Sequence, residues 1–370
     1  MKWQFYTDQQ DVSCPKFAYI GPDEQVWLQD WEGNRRAISF GVQAAMWPRW
    51  SPDGKWIVFF HTSSDGIVVS ICSVDGTEEK VLGVFSEEIP IFAYWSPNCQ
   101  KILLLTQGIE LSLWLCDVEE LGQKELLETG GALFFSWHHD GSSILVHVMY
   151  QEGAHLVQHY LHDRSPDIIS RRAGLFGVPR QIDDKVFFVE QEHGYANLMV
   201  FHNQRKECLY RRKGYTSTSL CPDMQHIALA GEASKIELLN IETGQARLLS
   251  NAKAQSLWWC NAKQILFSSF ESNPHIVKWH KLDVSSEEQK QLHASWPTRS
   301  QMFVLHFFEQ FNMGQSILDT EKQRLLFEGY PTPQGTRSYT PRTQIYTLDV
   351  HEGTIEPIAE GTYPSLMPNL

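Results

Sequence analysis

Short apolar runs, rich in aromatic and β-branched residues, alternate along the chain with clusters of Pro, Asp, Asn, Gly and Ser. The clearest unit is Trp47-Pro48-Arg49-Trp50-Ser51-Pro52-Asp53-Gly54-Lys55-Trp56-Ile57-Val58-Phe59-Phe60, which reads as strand, tight turn, strand. Pro presets φ, Asp bonds its own backbone, and Gly accepts a positive φ. The apolar run after the turn has the composition of a well-buried strand.

The unit returns. Aligned on the turn, first strands begin at Pro48, Ala93, Phe135, Arg180 (a degenerate copy), Thr218, Leu257 and Ser316, and a last one lies at Pro364. Second strands are expected at residues 57–60, 102–105, 144–148, 186–189, 227–230, 265–268 and 325–327, and an eighth at 17–20 has no first strand before it. Third strands, such as 26–29, 67–72, 111–116 and 345–348, mostly lead through a turn into a short fourth. Trp50, Trp95 and Trp137 are spaced by forty-odd residues, the length of a four-stranded propeller blade. The beginning of the chain then supplies strands two to four of one blade, and residues 363–370 supply its missing innermost strand. Closing the ring this way leaves no orphan blade edge. The reading is all-β: an eight-bladed β-propeller closed by a C-terminal innermost strand. Seven blades is the alternative, because the copy near Arg180 is poor and residues 295–314 are ambiguous.

Ser51-Pro52-Asp53-Gly54-Lys55, followed by Ile57 and Phe59 and repeated at this period, resembles the TolB-like family of propeller repeats. The resemblance spans nearly the whole chain, although only the first copies match closely. Without a Trp-Asp dipeptide or a Gly-His pair, the sequence departs from the WD-repeat pattern of WD40 propellers. The resemblance implies a protein-interaction surface, or the non-catalytic propeller of a prolyl-oligopeptidase-type enzyme. It speaks strongly for the fold and weakly for function.

A repeat overrides the two or three domains that 370 residues would suggest, so residues 1–370 are expected to form one domain. The net charge of −13 argues against nucleic acid as a partner. No apolar stretch approaches a membrane span, and the first residues carry no signal-peptide pattern. Seven cysteines, without a C-x-x-C, suit reduced thiols in a cytoplasm. A cytoplasmic, bacterial-type monomer without cofactor or metal is expected.

Catalytic motifs are weak. Gly314-Gln315-Ser316 lacks the second glycine of a nucleophile elbow. His155, His159 and His162 invite a metal reading, but strand alternation puts His162 on the other face from the first two. Glu190, Glu192 with His193, and Glu271 with His275, are expected in loops between second and third strands.

Position within a blade says more. Loops joining strands two and three, and connections from blade to blade, emerge on one face of a propeller. Residues 295–315 are such a connection, and its segment 307–311, with Glu309 and Gln310, should approach the central channel. Residues 329–344 are a long loop on the same face carrying Tyr330, Arg337, Tyr339 and Arg342, a composition suited to binding. Arg171-Arg172 and Arg211-Arg212 occupy matching inter-blade positions, a local basic cluster in an acidic chain. The expected function is therefore a non-catalytic scaffold that binds a protein or peptide on this insertion-bearing face. The alternative is a small-molecule-binding, hydrolase- or lyase-type propeller whose site is at the channel mouth, with Glu309, Gln310, His193 and His275 supplying polar groups.

Overall fold

The computed structural model describes residues 14–161, 164–174, 177–231, 235–272, 275–330 and 342–368. The turn that marks the repeat is built from its own side chains. Ser51 Oγ donates to Asp53 Oδ1 (2.6 Å) and accepts from Trp56 N (3.0 Å), while Asp53 Oδ1 accepts from Lys55 N (3.1 Å). The next copy repeats it: Ser96 Oγ donates to Asn98 Oδ1 (2.7 Å) and accepts from Lys101 N (2.9 Å). The position of Gly54 holds a positive φ in each clear copy, 67° at Gly54, 61° at Cys99, 75° at Gly141 and 58° at Met224. The turn geometry outlives the glycine.

These turns link antiparallel strands into four-stranded sheets whose innermost members are Gln43–Trp50, Ile89–Trp95, Leu133–Trp137, Arg180–Ile182 and Thr216–Leu220. A further four-stranded sheet joins the two ends of the chain. Thr362–Leu366 pairs with Phe17–Ile20 through Phe17↔Leu366 and Ala18↔Ser365, outside which lie Val26–Gln29 and Arg35–Ala37. The expected closure is present. The last sheet has eight strands. It holds one meander begun by Ser256–Asn261 and a second begun by the two-residue Leu318–Asp319, joined by the pairs Trp296↔Tyr330 and Pro297↔Gly329. Among the described residues there are thus seven hydrogen-bonded sheets, the last holding both meanders.

The core lies between neighbouring sheets. Leu103 and Leu113 of one sheet pack with Phe135, Ile144 and Val157 of the next, and Val58 and Val69 pack with Ala93, Ile102 and Leu104. The repeated tryptophans stitch these layers. The indole Nε1 of Trp95 donates to Arg49 O (3.3 Å), that of Trp137 to Tyr94 O (3.3 Å), that of Trp259 to Ser219 O (3.0 Å) and that of Trp50 to Ser365 O (3.0 Å). Each ring fills the gap to the preceding sheet and satisfies a carbonyl of that sheet's innermost strand. The architecture is an all-β propeller. Among the described residues no helix is long and apolar enough to cross a membrane, and the described cysteines are free, with Cys72 and Cys116 buried as expected.

Candidate binding site at the channel mouth

The connection at 295–315 is mostly helical. Helix α1 is Arg299–His306 and helix α2 is Phe308–Gly314. Thr298 caps α1, its hydroxyl accepting from Gln301 N (2.9 Å). The start of α1 is fastened to the last repeat by the buried Glu328, which takes the Thr298 and Ser300 hydroxyls and also accepts Tyr363 N (2.5 Å) from the closing strand. Burial pushes the Glu328 carboxyl above its ordinary value.

α2 fills the axis of the propeller. The inner edge of each innermost strand presents backbone groups with no ladder partner, and side chains of α2 and its exit supply partners. Gln310 behaves like a short piece of strand: its Oε1 accepts Phe135 N (2.9 Å) and its Nε2 donates to Phe135 O (3.0 Å). Glu309 accepts Val178 N (3.2 Å) through one oxygen and Thr218 N through the other. Gln315 Oε1 accepts Ser365 Oγ (2.5 Å) and Trp50 N (3.4 Å). Rings complete the seal. Phe311 meets Phe92 edge-on (5.0 Å) and Trp47 (5.5 Å), Phe308 meets Trp258 (5.8 Å), and the buried Arg49 guanidinium lies 4.9 Å from the Phe311 ring. The approach of 307–311 to the channel is as expected; the helices are not, and α2 is a plug rather than a loop.

Above the plug a cavity of about 420 Å³ opens, within the range of ligand pockets. One wall is the helix junction His306, Phe307, Phe308 and Glu309; the other comes from Phe134, Gln191, Tyr215, Ser217, Gly231 and the connection Lys253-Ala254-Gln255. Gln191 and Gly231 end second strands, and 253–255 is an inter-sheet connection, so the cavity is on the insertion-bearing face. The Gly231 backbone passes so near Tyr215 that a Cβ there would lie 2.0 Å from Tyr215 O. Glu309, 4% exposed, has its carboxyl pushed up to about 7, because burial outweighs Arg180 and the two amides that favour its charge. Tyr215 is pushed up by burial and by Glu309, and burial lowers the Arg180 guanidinium.

The other expected residues divide. Arg171, Arg211, His193 and His275 are exposed. Arg211 stacks over Tyr195 (4.2 Å), and His275 over Phe270 (5.8 Å). Arg172 is exposed but paired with Glu192 (3.0 Å) beside Gln191, and Arg342 with Glu360 (3.2 Å). Arg212 departs from the expected contact set: it is buried, pairs with Glu237 (3.4 Å) and donates to Lys235 O (3.4 Å). Alternation along Arg205–Lys213 turns it to the opposite face from Arg211. Gln310 is likewise buried and committed to Phe135, not offered to a ligand. Tyr330 joins the two halves of the eight-stranded sheet opposite Trp296. Arg337 and Tyr339 lie outside the described residues.

The loop acids are also revised. Glu190 is inside the strand Lys185–Glu192, bound to Lys206 (2.5 Å) and Ser170 (2.5 Å), and Glu271 pairs with Lys278. His159 has a carboxylate neighbour, Glu128 (2.8 Å), which also takes the Tyr150 hydroxyl (2.5 Å). His162 lies outside the described residues, and among those described no group of three or more His, Cys, Asp or Glu side chains is placed to hold a metal ion. Gln191, Tyr215, Ser217, Lys253 and His306 were not singled out from sequence; apart from His306, in the long connection, nothing in their local pattern marks them.

No family model matches the sequence, and no curated protein matches it. Solved structures do. The chain is similar to a eukaryotic initiation factor at 11% identity, over 96% of this chain and 98% of that one, with a TM-score of 0.57. It is similar to a prolyl endopeptidase at 12% identity and a TM-score of 0.51, over 88% of this chain and 51% of the other, so it spans about half that enzyme's length. TolB from Acinetobacter baumannii is a further neighbour, at 16% identity, 72% and 74% coverage and a TM-score of 0.43. The class that the first two define is the β-propeller.

Proposed function

We propose that this protein is a non-enzymatic binding propeller that engages a protein or peptide on its insertion-bearing face, centred on the mouth cavity. One observation carries the reading: the polar side chains of the plug are spent on backbone amides of the innermost strands, which closes the channel and leaves a mixed aromatic and polar cavity at its mouth. Gln191 and His306 at the rim, with Arg171, Arg172, Arg211 and His193 on the same face, form the contact set, to which Arg337, Tyr339 and Arg342 of the long loop belong. Arg and aromatic side chains give such a surface large, directional contacts. The test is affinity capture from a source lysate with the wild-type protein and with an Arg171→Glu, Arg211→Glu double variant. The variant is expected to lose a partner that the wild type retains; equal recovery rejects the face.

A small-molecule site is the second reading. The closed floor of the cavity and its volume favour it. A melting-temperature screen with a metabolite collection tests it, a hit weakened by Gln191→Ala at the exposed rim being the supporting result.

A further inference from the structure

Among the described residues Glu309 is the one acid on the wall of the mouth cavity, and the rings of Phe134, Phe307 and Phe308 line the same space. Both carboxylate oxygens already accept a backbone N–H and the Thr218 side chain also bonds the carboxyl, which leaves acceptor capacity among its four lone pairs. Arg180 acts on Glu309 electrostatically and favours its charged form. Burial holds the carboxyl above its ordinary value despite Arg180 and the amides, so little water screens a charge brought against it. Phenyl faces also attract cations. Lys253, exposed at the rim on a flexible stem, opposes this and can swing outward.

We propose that the mouth cavity takes the basic side chain, lysine or arginine, of the bound partner, with Glu309 as counter-ion and the three phenyl rings as its walls. This rests on the binding reading above and names the chemistry that the partner brings. Insertion places the ammonium or guanidinium against the free lone pairs of Glu309, and its methylene stem packs on Phe307.

The test uses blocked tripeptides with a central lysine, norleucine or glutamate, measured by titration calorimetry on the whole protein. The lysine peptide is expected to bind at least about tenfold more tightly than the norleucine one, and the glutamate peptide weakest. Equal binding of lysine and norleucine overturns the proposal. Glu309→Gln is expected to abolish the difference; a folded variant that still prefers lysine also overturns it. Because Glu309 helps anchor the plug, Lys253→Ala is the second variant: removing the rim cation is expected to tighten lysine binding severalfold, and unchanged or weaker binding counts against the proposal. Lysine binding near pH 6.5 should release protons, read from titrations in buffers of different ionisation enthalpy, as the cation draws Glu309 into its charged form; no release overturns the assignment to Glu309. The wider reading is judged apart, by recovery with the Arg171→Glu, Arg211→Glu variant. Lost recovery with no lysine preference sinks this inference alone.

Discussion

The side-chain amide of Gln310 reproduces a strand's hydrogen bonding toward Phe135, accepting its N–H at 2.9 Å and donating to its carbonyl at 3.0 Å. A propeller has free inner edges around its axis, and here a helix satisfies them with side chains. Gln310→Ala strands two buried backbone groups at once. Unfolding in denaturant should show a loss of about 2 kcal/mol, against nearly none for Asn312→Ala on the same helix, which is less buried and forms no such bond.

Glu309 makes stability depend on pH in an unusual direction. Its carboxyl rises from 4.5 to about 7 on folding because of burial. The folded state therefore holds the proton more tightly than the unfolded state between those values, and stability falls as pH rises through them. This contribution is fully present below about 4.5 and lost above about 7, on the order of 3 kcal/mol in all. Glu328 is shifted the same way by burial, while exposed Asp75 and Asp283 are held low by hydrogen bonds and act oppositely. The clean measurement is a difference. Glu309→Gln should match wild type near pH 5 and gain on it steadily up to pH 8; parallel curves would refute the assignment.

Much of the ring was legible because its signals are local. The Ser-Pro-Asp-Gly turn uses side chains within five residues of one another, so its copies survive even where Cys99 or Met224 replaces the glycine. The tryptophan spacing was equally plain, and the indole bonds to the preceding sheet explain why that ring recurs. The plug was harder to read. α1 and α2 are eight and seven residues long, and segment 307–311 reads as strand as easily as helix. Glu309 bonds backbone amides 131 and 91 residues away, at Val178 and Thr218. Backbone groups exist at every position, so nothing in the identity of those residues advertises the bond. Membership of the mouth cavity is likewise a product of ring closure, not of local pattern.

Arg211 and Arg212 are neighbours of one type with opposite expected behaviour. Arg212 is buried against Glu237 and the Lys235 carbonyl, so Arg212→Ala leaves a poorly solvated carboxylate and should cost about 3 kcal/mol. Arg211 lies exposed over Tyr195, and its replacement by Ala should cost no more than about 1 kcal/mol. Partner retention should reverse the order, with folded Arg211→Ala losing the partner. Melting curves and capture assays on the two variants check both halves.

Ring closure rests on a few contacts that can be weakened one at a time. Trp50 Nε1 donates to Ser365 O, and Gln315 bridges Trp50 N to Ser365 Oγ, so the closing strand is held from the side as well as by its pairing with Phe17–Ile20. Trp50→Phe keeps an aromatic ring but deletes the donor and the indole's second ring, leaving the Ser365 carbonyl short of a partner beside a small cavity. The global cost should be about 2 to 3 kcal/mol. The local effect should be larger: amide hydrogen exchange in 362–366 and 17–20 should quicken well before that of the strands 57–60 and 102–105, because a terminal strand opens without unfolding the rest. Trp95→Phe removes the matching bond to Arg49 O, between two sheets that share no chain terminus. It should cost as much in global stability and leave exchange at 362–366 unchanged. If both variants loosen the closing strand alike, that strand is not held by its own local contacts.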